Sequence, residues 1–393
     1  MPTAEDLDAL LERAQHQFDA GDPSAAADLL DSAATVVRSL VESGAIGPVL
    51  LVRVMFGQAR ALSAAGETYA AAGVALKADA LVAELPCPSD DLTEAERTQF
   101  AFWAARHLAE DDRGEAAWQA ATVALALIDG QLADDPVRLL RMRASLLGAL
   151  TQLTSDSGDE LDAAETGQEE PGRLTAAGAR RQLVETLREL VSRQPDEVDV
   201  VHNLSEALRT LAPQVAEETT AARRRRVWND EDTTDLDVWP TSAVTMAHEA
   251  VDLLLPLADA EPNDWIVQIA RPLATLAVLA DDEGREYEAV DLIERLAARW
   301  GEPWGDRLEV MVHTWEWLDA PTFAREEDAL ACYEELLDEA SDPAVEAVLA
   351  TVSGAVPSRL RSIRAAAREL GVAGAYEKRA ADPVAFLLTY GGQ

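Results

Sequence analysis

The chain has 393 residues, 48% of them apolar and 5% aromatic, with 72 Asp plus Glu against 33 Lys plus Arg and a formal net charge of −39. That length exceeds one ordinary compact domain and suits two or three domains or a repeat array. The charge argues against nucleic acid and anionic membrane as partners and in favour of basic ones.

Ala and Leu dominate the apolar set, and sustained period-2 runs of Val, Ile and Thr are missing, so helices are expected and a sheet has little support. Only Lys77 and Lys378 are lysines; the remaining positive charge is arginine, a bias that also fits a high-salt or Arg-rich, Ala-rich host. The start, Met1-Pro2-Thr3-Ala4-Glu5-Asp6, is acidic and leads into an amphipathic helix rather than a secretory signal. Cys87 and Cys332 form no CxxC pair, which points to a reducing compartment and a cytoplasmic protein. The longest apolar stretch, 265–280, is broken by Arg271 and Pro272, so no membrane span is expected.

Prolines punctuate the chain. Helix-pair boundaries are expected at Pro48, Pro86 or Pro88, Pro136, Pro195, Pro262, Pro303 and Pro343. Proline lacks an N–H and is tolerated in the first turn of a helix, and neighbouring Asp or Asn residues such as Asp135, Asn263 and Asp342 supply caps. The intervals from Pro48, Pro262 and Pro303 are 40, 41 and 40 residues, and that from Pro88 to Pro136 is 48. Two more, of 59 and 67 residues, reduce to 41 and 40 if the polar segments 155–172 and 214–240 are set aside as inserts.

Each interval holds two helical stretches. In the clearest pair, 265–281 carries Leu273, Leu276, Ala277 and Ala280 on one face. Glu283-Gly284-Arg285 forms a turn, and 286–300 carries Tyr287, Val290, Ile293 and Leu296. Neither stripe can be hidden by its own helix, so the pairs must stack. Small residues and a turn glycine recur at matching places. They are Ala14, Gly21-Asp22, Ala26 and Ala33 in the first pair, and Ala59, Gly66-Glu67-Thr68-Tyr69, Ala71, Ala75 and Ala78 in the second. The pair around Asp112-Arg113-Gly114, with Ala105, Ala117, Ala121 and Ala124, is a degenerate copy.

On these residues the chain resembles the tetratricopeptide-repeat (TPR) family, with HEAT-like arrays of similar period as the other fold to consider. The resemblance implies an all-α, right-handed αα-superhelix, a TPR-like solenoid of about seven helical hairpins with a C-terminal capping helix. The expected layout is N-terminal hairpins over 1–154, an acidic insert of disorder-prone composition over 155–172 and a further hairpin over 173–213. An Arg-rich and acidic insert (214–240), C-terminal hairpins (241–356) and a basic capping helix and tail (357–393) follow.

The first insert holds Asp156, Asp159, Glu160, Asp162, Glu165, Glu169 and Glu170 and no base. The second holds Arg223, Arg224, Arg225, Arg226 and Trp228, followed by an acidic run and Trp239; it reads either as a docking element or as a loop whose arginines pair with the chain's own acids. The expected capping helix over 358–370 is a basic island with Arg359, Arg361, Arg364 and Arg368. In TPR proteins the first helix of each pair lines the concave, peptide-holding surface, which nominates Arg271, His313, and Trp315 or Trp317 as groove residues. The two tryptophans stand two apart on a helix and cannot both face inward.

Motifs for chemistry are absent from the sequence. There is no GxGxxG, GxxxxGK[ST] or GxSxG, and His248-Glu249 lacks the second histidine of a zincin helix. No metal or cofactor is expected. The sequence therefore points to a non-catalytic scaffold or adaptor that holds a protein or peptide, with a basic partner favoured by charge. The rival readings are a dedicated acidic chaperone for a highly basic client, and an enzyme or sensor with a small-molecule pocket in the array.

Overall fold

The computed structural model describes residues 4–86, 88, 91–111, 114–153, 175–228, 238–282, 286–301, 308 and 312. Among these residues there are twelve α-helices and no strand. The chain divides into two compact units, Met1–Asp196 and Glu197–Gln393.

The first unit holds α1 (Ala4–Asp19), α2 (Pro23–Glu42), α3 (Val49–Ala64), α4 (Thr68–Glu84), α5 (Glu94–Glu110), α6 (Gly114–Gln131), α7 (Pro136–Leu153) and α8 (Ala176–Arg193). Each helix packs on the next, as expected for hairpins. In addition α3 touches α5 and α5 touches α7, so the first helices of successive pairs form a layer of their own. We call α1, α3, α5 and α7 the A layer and α2, α4, α6 and α8 the B layer.

The alanines that carry the family resemblance are where two helices approach closely. Ala26, Ala33, Ala59, Ala71, Ala75, Ala78, Ala105, Ala117, Ala121 and Ala124 are all fully buried, and Ala14 is 2% exposed. A larger side chain at any of them would hold two helix axes apart. The turns agree as well. Gly21 and Gly66 take φ of 82° and 80°, a region that costs an L side chain strain. At each, the glycine N–H and the next N–H bond back to the carbonyls three and five residues earlier, Phe18 and Gln17 in one turn, Ser63 and Leu62 in the other. Asp22 then accepts from Ala25 N to cap α2, which opens on Pro23. Pro136 likewise opens α7, with Asp135 Oδ1 accepting from Arg138 N at 3.4 Å. The acidic segment 155–172 lies outside the described residues; its flanking helices α7 and α8 pack on each other as one pair.

The second unit holds α9 (Val198–Trp228), α10 (Val238–Ala260), α11 (Pro262–Asp282) and α12 (Glu286–Trp300). Here one boundary is corrected. Residues 214–228, assigned to an insert by their polarity, continue α9, which is 31 residues long and passes through Pro213. The reason is a stripe that the polar count conceals: Leu204, Leu208, Leu211, Val215 and Thr219 are spaced three or four apart, and all are buried. Ser205 Oγ ties the helix to α10 by donating to the buried Ala250 carbonyl at 2.7 Å. In the last described pair Leu273, Leu276 and Ala280 are fully buried and Leu296 nearly so, whereas Val290 is 49% exposed and does not belong to the stripe. Of the seventh pair only Leu308 and Val312 are described, both buried, and the basic capping helix falls outside the described residues.

Candidate functional site

The most developed polar cluster sits on the A layer of the first unit, centred on α5. Thr93 starts this helix with a reciprocal cap: its Oγ1 accepts from Glu96 N, and Glu96 Oε2 accepts from Thr93 N. Ala101, Ala104, Ala105 and Leu108 then bury one side against the neighbouring helices. Toward α3, Phe100 stacks on Phe56 with ring centres 5.0 Å apart and planes 4° from parallel. What remains outward at a spacing of three or four residues is Gln99, Trp103, Arg106 and Glu110.

Trp103 is half-buried and packs against two core clusters at once. Arg60 from α3 and Arg106 from α5 lie over its ring, with Cζ atoms 5.2 and 5.9 Å from the centroid. The His107 ring stacks against it at 5.8 Å and 21°. His107 is 2% exposed, and its Nδ1 is 3.1 Å from Glu110 Oε2. A carboxylate only accepts, so Nδ1 carries the hydrogen of that bond; Nε2 is buried without a hydrogen-bond partner. Glu110 also accepts from Ser63 Oγ at 2.8 Å and Arg106 Nε at 3.0 Å. The His107 hydrogen bond is the main reason that its carboxyl falls to about 2; burial opposes the shift, and Ser63 and Arg106 assist it.

Beyond Arg106 the surface continues to α7, because Arg106 Nη1 donates to Ser145 Oγ at 3.3 Å. Ser145 is also part of an open pocket of about 600 Å³ between α5, α7 and the end of α8. Its apolar lining is Phe102, Val137 and Met142; Asp135, Arg138, Arg141 and Gln194 stand around it. Arg141 donates to Gln194 Oε1 from Nε at 3.3 Å and Nη2 at 3.0 Å. The third arginine of α7 is structural. Arg143 is 16% exposed, pairs with Asp129 of α6 at 3.0 Å, and donates to Thr186 Oγ1 and Gln182 Oε1 of α8.

Such an arrangement can hold a side chain against an aromatic face and an adjoining apolar pocket, with cations around both. Ser63 Oγ is engaged with Glu110 rather than with His107, so the His–carboxylate pair is not aligned on that hydroxyl. Among the described residues no three His, Cys, Asp or Glu side chains converge as a metal site, and no helix is long and apolar enough to cross a membrane.

Of the residues nominated from sequence, Arg271 lies on α11 and reaches Glu206 Oε1 of α9 at 3.4 Å. Glu206 also takes Arg209 from the same helix, at 2.6 and 2.8 Å. Burial pushes the Glu206 carboxyl up, but the Arg209 hydrogen bonds and the charges of Arg209, Arg271 and His202 outweigh it and hold it below the usual carboxylate range. Arg271 is thus held within an ion network between α9 and α11. Arg223, Arg224, Arg225, Arg226 and Trp228 form the last turns of α9 rather than a loop. Arg226 is 20 residues past Glu206, roughly 30 Å along the helix at 1.5 Å per residue, so Arg271 and the arginine run do not share a site. His313, Trp315 and Trp317 lie outside the described residues.

Sequence reading passed over the α5 cluster because its hairpin is a degenerate copy of the repeat. A local signal was present: Trp103 and His107, and Arg106 and Glu110, are each four apart on one helix face.

No protein-family model matches the chain, and no curated protein matches it. Among solved structures it is similar to the Rap conjugation gene regulator of the plasmid pLS20 in complex with the Phr* peptide. The likeness has 14% identity and a TM-score of 0.33, and covers 76% of this chain and 77% of that one. At this identity and score, nothing about partners or activity carries over.

Proposed function

We propose that the protein is a non-catalytic interaction scaffold that holds a partner peptide or protein surface on the A layer of a TPR-like array. The observation that carries this reading is Trp103, a half-buried indole on the outward side of α5 with two guanidinium groups over its ring and an apolar pocket next to it. Aromatic and arginine side chains anchored in a packed surface are what partner segments bind most strongly. The contacts of α3 with α5 and of α5 with α7 support the choice of face. In a stacked array the layer whose alternate helices touch is expected to be the shorter arc, the side on which a concave groove would lie. On this proposal the hairpins continue through 303–356, and 357–393 caps the array.

The test is selection of a random peptide library on the full chain. Enriched peptides are expected to lose at least ~10-fold in affinity with Trp103→Leu, an anchor loss of about 1.4 kcal/mol or more. Peptides that bind the variant as tightly as the parent would defeat the reading. A second reading, an acidic chaperone for a basic client, is favoured by α2, α4 and α6, which together hold seven acids and only Arg38 and Lys77 as bases.

A further inference from the structure

We infer that the A-layer face of α3, α5 and α7 takes an extended acidic segment bearing one bulky apolar side chain, a preference opposite in sign to that of the whole chain. The inference rests on the scaffold reading above and names the partner's chemistry. α3 carries Arg53 and Arg60 and no acid; α7 carries three arginines and no acid. In a chain of net charge −39, the two helices that flank α5 in this layer thus carry bases and no acid.

Three acids beside these arginines have partners of their own. Glu96 takes Arg53 at 2.7 Å, Glu110 takes Arg106, Ser63 and His107, and Asp135 caps α7. Arg60 and Arg138 remain. Both are exposed. Arg60 rests on the Trp103 ring, and the Arg138 side chain has no carboxylate partner among the described residues. Two uncompensated guanidinium groups at the ends of one surface are forks for carboxylates, while Trp103 and the Phe102–Met142 pocket between them suit an apolar side chain.

Length follows from the helix spacing. At 8–10 Å between neighbouring axes, α3 and α7 stand roughly 16–20 Å apart, which about six extended residues span. The local field would also discriminate. A basic segment is drawn to the molecule as a whole but meets like charge on this face, whereas an acidic segment is repelled at long range and held at contact.

The experiment uses the full chain and four fluorescent probes. Three are dodecapeptide pools with a central Phe or Leu flanked by Asp and Glu, by Lys and Arg, or by Ser and Gln; the fourth is oligo-dT. Anisotropy is read at low and at physiological salt. The acidic pool is expected to bind ~10-fold tighter than the neutral one. It should lose about 10-fold with Arg60→Glu/Arg138→Glu, the sum of two exposed charge reversals. Unchanged thermal melting of that variant confirms the fold. Equal binding of the acidic and neutral pools, sensitive to Trp103→Leu, overturns the acidic preference and leaves the scaffold. Tighter binding of the basic pool or of oligo-dT, indifferent to Trp103, overturns the preference and the choice of face. Absence of binding by every probe overturns both proposals.

Discussion

Two arginine clusters lie where neighbouring first helices meet, and they differ in what their cations face. In the second unit Arg209 and Arg271 converge on one carboxylate, Glu206, and the Arg209 side chain is only 9% exposed. In the first unit Arg60 and Arg138 stand exposed around an indole and an apolar pocket, with no carboxylate of the described chain for either. The same residue type on equivalent helices therefore serves two ends. Where the chain supplies the anion, arginine ties helices together; where it does not, arginine stays exposed.

Mutation can break that contrast or sharpen it. The largest stability effect is expected from Glu206→Ala. It removes the acceptor shared by two guanidinium groups, one of them buried, and should cost about 2–3 kcal/mol in chemical denaturation. Next comes Glu110→Gln, expected at about 1–2 kcal/mol, since it weakens three hydrogen bonds on a partly buried carboxylate. This second variant also has a pH signature. The folded carboxyl sits at about 2 against an ordinary 4.5, so its contribution is complete above the ordinary value and is lost as pH falls toward 2. Glu110→Gln should therefore flatten the acid limb of the stability curve in that window, and an unchanged limb would contradict the assigned contacts. Smallest of all is the expected effect of Arg60→Ala or Arg138→Ala, within about 0.5 kcal/mol. A loss comparable to that of Glu206→Ala would show that these arginines are structural after all and would erase the contrast.

Much of the fold could be read from spacing because close helix contact restricts what can occupy a position. Ala59, Ala75 and Ala121 recur at hairpin registers because nothing larger fits there, and Gly21 and Gly66 because only glycine takes that φ without strain. Residues 214–228 depart from their polarity for a related reason. Polarity averaged over a segment says nothing of one face, and Val215 and Thr219 suffice to seat a helix whose other sides are charged.

The site was less legible. Trp103, Arg106, His107 and Glu110 lie on one helix and could have been found by their spacing. Arg60, Ser63 and Ser145, however, arrive from α3 and α7 about 40 residues away, and only packing of the A layer brings them to the same indole and carboxylate. Arg271 illustrates the opposite error. Its partner Glu206 is 65 residues earlier, so its engagement could not be seen from local sequence.

The direct measurement is photo-crosslinking of a benzophenone-bearing acidic peptide to the full chain, followed by mapping of the attachment points. Crosslinks concentrated on α3, α5 and α7, and lost with Trp103→Leu, are the predicted result. Crosslinks confined to α2, α4 and α6, or spread without regard to Trp103, would contradict the account.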